Sequence, residues 1–329
     1  MNEFTKRSNT TYQRLGSQRR PFLLLTDFEM IQPVIFSLDE LDSSVLKYQF
    51  PQASNDPYMG AAPTVALQWE TTYVSPRRYQ KAFNQVQAGM HRGDSFLLNL
   101  TFPTVVQTNW SLEEVYWQTQ ARYKLWWKDN IAVFSPETFV RIAEGRIYAY
   151  PMKGTLHASH PLDQLLTDAK ERAEHATIVD LIRNDLSQVA NQVEVVRYRY
   201  GERIETTNGG LWQTSSEIRG ILPMNFHRHL GNLLSSLLPA GSISGAPKPA
   251  TLQLIRAAEG QPRGFYTGIA ALWDGYGLDS CVMIRFLEKK GDTYRFWSGG
   301  GITAYSNWQD EYKELKEKVY LPVRAVVRG

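Results

Sequence analysis

The sequence contains very little cysteine and has no long apolar stretch. Cys281 is the single cysteine among 329 residues, which excludes an internal disulfide, and no Cys/His spacing suggests a zinc site. No apolar run reaches about 18 residues, so we expect no transmembrane helix. The polar, basic N-terminus lacks the apolar segment of a secretory signal. These absences predict a protein of the reducing cytoplasm that does not enter a membrane.

An excess of charge of one sign is also missing. The chain has 36 Lys and Arg against 33 Asp and Glu, a net charge of +3, and its arginines are spread along the sequence. Nucleic-acid binding would favour a basic stripe with interleaved aromatic residues. Tyr198, Arg199 and Tyr200 form only a fragment of such a stripe. The composition therefore favours an ordinary enzyme surface over a nucleic-acid-binding one.

Strand-like and helix-like segments do not alternate regularly along the chain. Helical spacing is found in SPRRYQKAFNQVQAGMH, SLEEVYWQTQARY and one long stretch at residues 161–190. Runs of β-formers lie between these segments and dominate the last third of the sequence. A doubly wound parallel sheet is therefore disfavoured. We expect an α+β protein with large antiparallel sheets and peripheral helices.

Two glutamate pairs have the spacing that places both members on one face of a helix. Glu171 and Glu174 lie in AKERAEH, and Glu311 and Glu314 lie in DEYKE. Residues three apart on a helix share a face. Two such helices facing each other would form an oxygen-rich site suited to a hard cation such as Mg²⁺. The alternative is a solvated helix face, since this spacing is common.

GSISGAPK, residues 241–248, resembles a phosphate loop only superficially. A phosphate loop needs Ser or Thr after its lysine, whereas Lys248 is followed by Pro249. The segment is therefore predicted to be either a tight loop whose backbone amides could bind an anionic ligand or a simple turn.

Two further features interrupt the strand-rich last third. Gly299, Gly300 and Gly301 follow a β-run, which indicates that another segment or a ligand approaches the backbone closely. Arg285 lies within the otherwise apolar CVMIRF. A charge in an apolar strand is costly unless it meets a carboxylate.

YPMKGT, residues 150–155, places Lys153 at the end of a β-run and directly before a glycine. A solvated strand end is the ordinary explanation of such a lysine. A lysine amine acts as a nucleophile when it is neutral, which a partly desolvated pocket favours. The residues alone leave both interpretations open.

In their order along the chain, several motifs closely resemble those of the chorismate-utilising enzymes, which include anthranilate, isochorismate, salicylate and aminodeoxychorismate synthases. The motifs are SPETF, PMKGT, ERAEHATIVDLIRND, GSISGAPK, YTGIA, CVMIRF, SGGGI and DEYKE. The resemblance implies an anthranilate synthase component I-like α+β fold, with two large, mostly antiparallel sheets packed together. It also implies that residues 1–80 are a shortened N-terminal part and residues 81–329 the chorismate-binding catalytic region of one integrated domain.

Within this family the position of Lys153 is diagnostic. Anthranilate synthases carry a Pro-Ile-Ala-Gly-Thr type of motif there, aminodeoxychorismate synthases carry Pro-Ile-Lys-Gly-Thr, and this chain has PMKGT. The resemblance therefore implies amination of chorismate to 4-amino-4-deoxychorismate, towards 4-aminobenzoate and folate. Lys153 would be the nucleophile at C2 and Glu137 the general acid. The alternatives are formation of anthranilate, 2-amino-2-deoxyisochorismate or isochorismate, and a non-catalytic binding protein on the same fold.

The resemblance also implies a metal ion and a set of substrate contacts. Mg²⁺ would be held mainly by Glu174 and Glu314, with Glu171 and Glu311 beside them. His175 follows a metal glutamate directly, and a structural or a substrate-orienting role is open for it. The residues expected to contact chorismate are Thr155, Lys248, Tyr266, Arg285, Gly299, Gly300 and Gly301.

The ammonia for such a reaction must come from elsewhere, because the chain carries no amidotransferase signature. Cys281 lies in an apolar segment without the context of a nucleophile elbow. The resemblance implies a separate glutamine amidotransferase subunit as ammonia donor, and a separate downstream lyase that removes pyruvate. The chain departs from the family pattern at Met152, at LHASH (156–160) and at Tyr305. None of these departures removes a catalytic group.

Overall fold

A computed structural model of the chain describes residues 11–56, 65–206 and 209–323. The Pro- and Gly-rich composition of residues 51–63 predicts a loop or a seam between subdomains, and part of this segment lies outside the described residues. A helical segment at residues 11–17 buries Tyr12 and Leu15. No helix in the described ranges is both long and apolar enough to cross a membrane.

Strands make up most of the regular structure. In chain order they are β1 (Phe22–Thr26), β2 (Val34–Ser37), β3 (Leu46–Phe50), β4 (Ala53–Ser54), β5 (Trp69–Thr72), β6 (Leu97–Thr108), β7 (Tyr123–Trp127), β8 (Ile131–Ser135), β9 (Thr138–Ala143), β10 (Arg146–Ala149), β11 (Met152–His157), β12 (Asn191–Thr206), β13 (Gly209–Ile221), β14 (Gly245–Ala246), β15 (Ile269–Trp273), β16 (Leu278–Val282), β17 (Phe286–Lys290) and β18 (Thr293–Ile302).

The helices are shorter and lie between groups of strands. They are α1 (Pro76–His91), α2 (Leu112–Gln118), α3 (Leu162–Thr167), α4 (Ala169–Ser187), α5 (Leu230–Leu237), α6 (Gly241–Ser244), α7 (Lys248–Glu259) and α8 (Trp308–Glu317). A 3₁₀ turn, Phe226–His229, precedes α5.

The strands form two sheets in which every pairing is antiparallel. The first has the order β11-β13-β10-β9-β16-β15-β1-β2, with β12 paired to β13. The second has the order β14-β6-β18-β17-β8-β7-β3-β4, with β5 paired to β6. The predicted α+β class with large antiparallel sheets is confirmed.

Contacts divide the chain into two compact units built from alternating stretches. The first contains the described residues of 1–40, 137–242 and 268–282, and the second those of 41–136, 243–267 and 283–329. Each sheet therefore belongs to one unit. The predicted division of the chain at residue 80, into a shortened N-terminal part and a chorismate-binding region, stays a prediction.

The core of the first unit forms between one face of its sheet and the helices α4 and α5. Phe22, Leu24 and Trp273 from the strands are fully buried there. Val179 of α4 and Leu234 of α5 belong to the same cluster. This packing fixes α4 against the sheet that carries β11, and so it places the acidic motif of α4 next to YPMKGT.

Local sequence signals explain where several helices begin. Ser111 caps α2 in a capping box, in which its hydroxyl and the Glu114 side chain each satisfy a backbone amide of the other residue. The stretch 161–190, predicted as one helix, is two helices. Asp168 has ψ 120° and accepts a hydrogen bond from the Glu171 amide, so it ends α3 and caps α4. The break aligns the first turn of α4, with Glu171, beside β11.

Candidate active site

Lys153 is held in an ion pair and is not a solvated strand end. It lies on β11, and its Nζ is 2.9 Å from Oε2 of Glu174 on α4. The side chains of Lys153 and Glu174 are 37% and 22% exposed. Lys170, which is 80% exposed, approaches the other oxygen of Glu174 at 3.9 Å. The half-buried lysine therefore has a fixed acidic partner on the neighbouring helix.

Glu171 and Glu174 lie one turn apart on α4, as their spacing predicts. Oε2 of Glu171 is buried and has no hydrogen-bond partner among the described residues. Burial, and then the neighbouring charge of Glu174, raise the pKa of Glu171, which Lys153 opposes. A buried carboxylate oxygen without a donor costs free energy unless a proton or a cation binds it.

Gly154 allows the backbone of β11 to pass close to α4. Its φ is +83°, a conformation that disfavours side chains, and a Cβ atom there would lie 2.5 Å from Oε2 of Glu171. The chain therefore needs glycine directly after Lys153 in order to bring the lysine and the carboxylates together.

His175, whose role was open, is completely buried between α4 and the sheet. Its Nε2 lies 2.7 Å from the hydroxyl of Ser216 on β13. The ring also hydrogen-bonds to the backbone of Lys153. Burial and then the charge of Arg199 lower the pKa of His175, so the ring is neutral at neutral pH. His175 therefore contacts the backbone of β11, the strand that carries Lys153, on its buried side.

Glu137 lies in the connection between β8 and β9, in the SPETF motif, and is half-buried. The Ser242 hydroxyl donates to its Oε1 at 2.6 Å. Its backbone carbonyl accepts a hydrogen bond from the Val282 amide. One oxygen of the carboxyl is thus oriented by the segment that begins GSISGAPK.

In the second unit the glycine run lies on β18, paired to β6. A Cβ atom at Gly299 would lie 2.3 Å from the carbonyl oxygen of Leu100. One at Gly300 would lie 3.0 Å from Oε2 of Glu311. The predicted close approach to these glycines is therefore made by a strand on one side and by the glutamates of α8 on the other.

Glu314 of α8 also has a lysine partner. Nζ of Lys318 lies 2.6 Å from Oε1 of Glu314 and donates to the carbonyl of Gly299 at 2.8 Å. The i,i+4 order of Glu314 and Lys318 is the favourable one on a helix. The hydrogen bond to Gly299 ties this pair to the glycine run.

Arg285 does not lie inside a strand, contrary to expectation. β16 ends at Val282 and β17 begins at Phe286, and Arg285 between them has φ +52°. Its guanidinium is half-buried and lies 5.4 Å from the centre of the Tyr320 ring. The break places the half-buried arginine at a strand end, where a charge is tolerated without a buried carboxylate.

Tyr266 is buried and stacks on Trp297, with ring centres 5.4 Å apart, next to Phe286. Thr155 is exposed on β11, and Lys248 is the half-buried first residue of α7. GSISGAPK is more regular than a loop, because it contains the short helix α6 and the strand β14. Gly245 on β14 has φ +105° and pairs with Leu98 of β6.

The expected site residues thus fall into two groups, one in each unit. The first unit holds Lys153, Thr155, Glu137, Glu171 and Glu174, and the second holds Lys248, Tyr266, Arg285, Gly299, Gly300, Gly301, Glu311 and Glu314. Within the described ranges, no three His, Cys, Asp or Glu side chains gather as they would around a metal ion. Cys281 is buried on β16, and burial raises the pKa of its thiol, so it is not a nucleophile.

Several residues that organise these groups were not found from the sequence. Ser216 and Ser242 hold His175 and Glu137 respectively. Ser242 lies within GSISGAPK, whereas Ser216 lies in none of the motifs. The signal for Ser216 is a buried polar run, Thr214–Ser215–Ser216, in the middle of a strand. Buried hydroxyls require partners, so such a run indicates a nearby polar network.

Comparisons with known proteins identify the family of the chain. The sequence matches the family described as chorismate binding enzyme over residues 29–324. A protein of Pasteurella multocida described as an uncharacterized PabA-like protein is 49% identical over 312 residues, which cover 94% of this chain and 96% of that protein. Aminodeoxychorismate synthase component 1 of Klebsiella aerogenes is 30% identical over 313 residues, covering 90% of this chain and 67% of that protein.

A solved structure has a similar fold at low sequence identity. The menaquinone-specific isochorismate synthase MenF of Escherichia coli superposes with a TM-score of 0.72 at 15% sequence identity, covering 95% of this chain and 80% of that one. The family match spans most of the chain, and the site residues lie within it. The protein is therefore a member of the chorismate-binding enzyme family.

Proposed function

We propose that the protein aminates chorismate at C4, giving 4-amino-4-deoxychorismate. The observation that carries the proposal is the half-buried Lys153, ion-paired to Glu174 at 2.9 Å. A lysine in this motif is what the resemblance associates with 4-amination. The likeness to the Klebsiella aminodeoxychorismate synthase component 1 supports the same assignment.

In the first step the amine of Lys153, which must first lose the proton that its ion pair with Glu174 favours, forms a bond to C2 of chorismate. The ring double bonds shift and the bond from C4 to its hydroxyl oxygen breaks. The departing hydroxyl takes a proton from Glu137 and leaves as water, and the proton that the amine nitrogen loses returns to the Glu137 carboxylate. This nucleophilic catalysis divides a difficult substitution into two easier ones. Direct attack by ammonia at C2 would instead give the 2-amino isomer.

In the second step ammonia adds at C4. The double bonds shift back and the bond between C2 and the Lys153 nitrogen breaks. The lysine takes up the proton that the ammonia nitrogen loses. Two successive displacements leave the configuration at C4 unchanged, and the net change is the replacement of hydroxyl by amine.

Glu137 is suited to the role of general acid because one of its oxygens is already oriented. Ser242 donates to Oε1 at 2.6 Å and so orients the carboxyl, which in its acid form carries the transferable proton. A positioned acid contributes only when it is within hydrogen-bond reach of the leaving group. The serine restricts the rotation of the carboxyl and so supports that reach.

We propose that the glutamates hold a magnesium ion. The buried Oε2 of Glu171 has no hydrogen-bond partner among the described residues, and carboxylate oxygens are the ligands that Mg²⁺ prefers. We propose that Glu174 and Glu314 are the principal ligands, with Glu171 and Glu311 beside them. The ion, when bound, would offset the negative charge of the chorismate ring carboxylate.

The remaining contacts are assigned to substrate binding. Arg285 and Tyr266 would bind the enolpyruvyl carboxylate, since an arginine fork matches a carboxylate. Thr155 and Lys248 would line the site. The backbone amides of Gly299, Gly300 and Gly301 would supply further donors to the substrate.

The ammonia donor is proposed to be a separate glutamine amidotransferase subunit. The name PabA-like, given to the Pasteurella relative, is consistent with such a system. A separate lyase would remove pyruvate from the product to give 4-aminobenzoate. We also propose that the protein works in the cytoplasm.

The test is the identity of the product formed from chorismate, Mg²⁺ and ammonium by the purified protein. Replacement of a hydroxyl by an amine with the pyruvyl group retained, followed by conversion to 4-aminobenzoate by an added aminodeoxychorismate lyase, is the expected result. Anthranilate, an isomer of unchanged mass, or no turnover of chorismate would each overturn the proposal. Chromatography with mass spectrometry separates these outcomes.

A further inference from the structure

A chain of buried hydrogen bonds in the first unit ends on the backbone of Lys153. The amide of Arg199 donates to the hydroxyl of Ser216 at 2.8 Å. This hydroxyl lies 2.7 Å from Nε2 of His175, and the His175 ring hydrogen-bonds to the backbone of Lys153. Ser216 and His175 are both completely buried. These hydrogen bonds therefore link three separate elements, β12, β13 and α4, to the strand β11 that carries Lys153.

The direction of each bond follows from the groups at its ends. Thr214 donates its hydroxyl to the carbonyl oxygen of Lys153, and Nδ1 of His175 lies 3.4 Å from that same hydroxyl oxygen. Nδ1 is therefore the ring atom that faces this carbonyl. A carbonyl oxygen only accepts, so Nδ1 carries the proton and Nε2 accepts from the Ser216 hydroxyl.

The carbonyl of Lys153 thus receives two donors, one from His175 and one from Thr214. It belongs to the peptide group that joins Lys153 to Gly154. Because Gly154 has φ +83°, this peptide plane has an orientation that ordinary strand geometry does not maintain. Two buried donors on one oxygen hold the plane, and hence the base of the lysine side chain, in that orientation.

We propose that His175 is a positioning residue that selects the site of amination. It fixes the peptide after Lys153, and thereby the direction from which the amine reaches C2 of chorismate. This inference rests on the proposed function. Direct attack of ammonia at C2 does not need the lysine, so a displaced Lys153 slows only the route to the 4-amino product. His175 therefore sets the ratio of the 4-amino to the 2-amino isomer.

The test compares His175→Asn with His175→Gln. The amide nitrogen of asparagine occupies the place of Nδ1 and can still donate to the Lys153 carbonyl, whereas that of glutamine occupies the place of Nε2. Misplacement of a reacting group by about 1 Å costs about 100-fold in rate, so we expect His175→Gln to lower the isomer ratio by about that factor and His175→Asn by much less. Chromatography of the two isomers, with lyase conversion to identify the 4-amino one, gives the ratio.

Ser216→Ala provides a second variant, because it removes the hydroxyl that holds Nε2 and leaves His175 in place. The ratio is expected to fall in this variant in the same direction. His91→Gln is the matched control, since His91 is exposed on α1 and its ring bonds to the carbonyl of Gln87, one turn earlier on the same helix. Circular dichroism of each variant verifies that it is folded before the ratio is measured.

A loss of total turnover with an unchanged ratio in His175→Gln and Ser216→Ala would overturn the inference, because a purely structural histidine gives that result. Equal ratios for His175→Asn and His175→Gln would overturn it as well. If the wild-type protein makes no 4-amino product, the proposed function fails first and the inference fails with it. The wild-type product therefore distinguishes the two failures.

Discussion

The amine of Lys153 lies 2.9 Å from a carboxylate oxygen of Glu174, across the gap between a strand and a helix. The two residues are 21 positions apart, and each has a different proposed role, nucleophile and metal ligand. Their contact means that a change in one alters the charge that surrounds the other. Each substitution at this site therefore needs a control substitution of the same residue type, at a position that differs from it in one respect only.

Replacement of Lys153 by alanine is expected to abolish the route to the 4-amino product. We expect formation of 4-aminobenzoate, in the coupled assay with lyase, to fall by more than about 100-fold, because the covalent step is lost. Lys170→Ala is the matched control, since Lys170 approaches the same glutamate but is 80% exposed. Similar activity in the two variants would contradict the assignment of the nucleophile.

Substitution of Gly154 separates backbone strain from the contact with Glu171. Gly154 and Gly145 both have positive φ, +83° and +71°, but a Cβ atom at Gly145 would meet nothing within 4 Å. We expect Gly154→Ala and Gly145→Ala each to lower the free energy of unfolding by about 1–2 kcal/mol, the cost of a left-handed side chain. Urea titrations measure this loss.

Only Gly154→Ala is expected to weaken the binding of Mg²⁺, because its methyl group displaces Oε2 of Glu171. Isothermal titration calorimetry with MgCl₂ measures the affinity without a need for turnover. Equal affinities in the two alanine variants would show that Glu171 is not a ligand.

The raised pKa of Glu171 predicts a pH dependence of stability in the absence of metal. A carboxyl whose pKa is higher in the folded than in the unfolded state stabilises the fold below its ordinary value of 4.5 and loses that contribution as the pH rises through the folded value. In EDTA, Glu171→Gln should therefore be more stable than the wild type at neutral pH and lose this advantage below pH 4.5. Thermal unfolding at a series of pH values measures the difference. A wild type that is the more stable at neutral pH would contradict the expected sign.

The buried pair of Arg263 and Glu259 is expected to control the stability of the second unit. Both side chains are 1% exposed, their closest atoms are 2.6 Å apart, and Glu259 also accepts from the amide and the hydroxyl of Thr101. Removal of one partner leaves a buried charge, so Arg263→Met should cost about 3–5 kcal/mol.

Arg92→Ala provides the control for this prediction, because the Arg92–Asp94 pair is exposed and such pairs contribute at most about 1 kcal/mol. Urea unfolding of the two variants gives both free energies. A loss in Arg263→Met as small as that in Arg92→Ala would mean that the pair is dispensable.

The class of the fold was predictable from the sequence because runs of β-formers and helical periods are local properties of the chain. The ends of elements were less predictable. Asp168 divides a stretch predicted as one helix, and Arg285 lies in a break within an apolar run that was predicted as one strand. In both places a single residue adopts a conformation that average propensity does not reveal.

The motifs located the residues of the candidate site but not their supports. Glu171 and Glu174 are visible as a helical pair, and Lys153 as an unusual residue before a glycine. Ser242 and Ser216 are ordinary in the sequence, yet they hold Glu137 and His175. Their partners are 105 and 41 positions away, and such distant pairs have no local signature.

The sequence by itself determined which chemical groups are present: two glutamate pairs, a lysine before glycine, and glycines where the backbone must approach closely. These follow from residue identity and short spacing. The tertiary structure alone decided that Lys153 pairs with Glu174, that His175 faces inward, and that Oε2 of Glu171 is buried without a hydrogen-bond partner among the described residues. Burial and contact depend on how strand and helix pack, and that packing is fixed by the whole core of the unit.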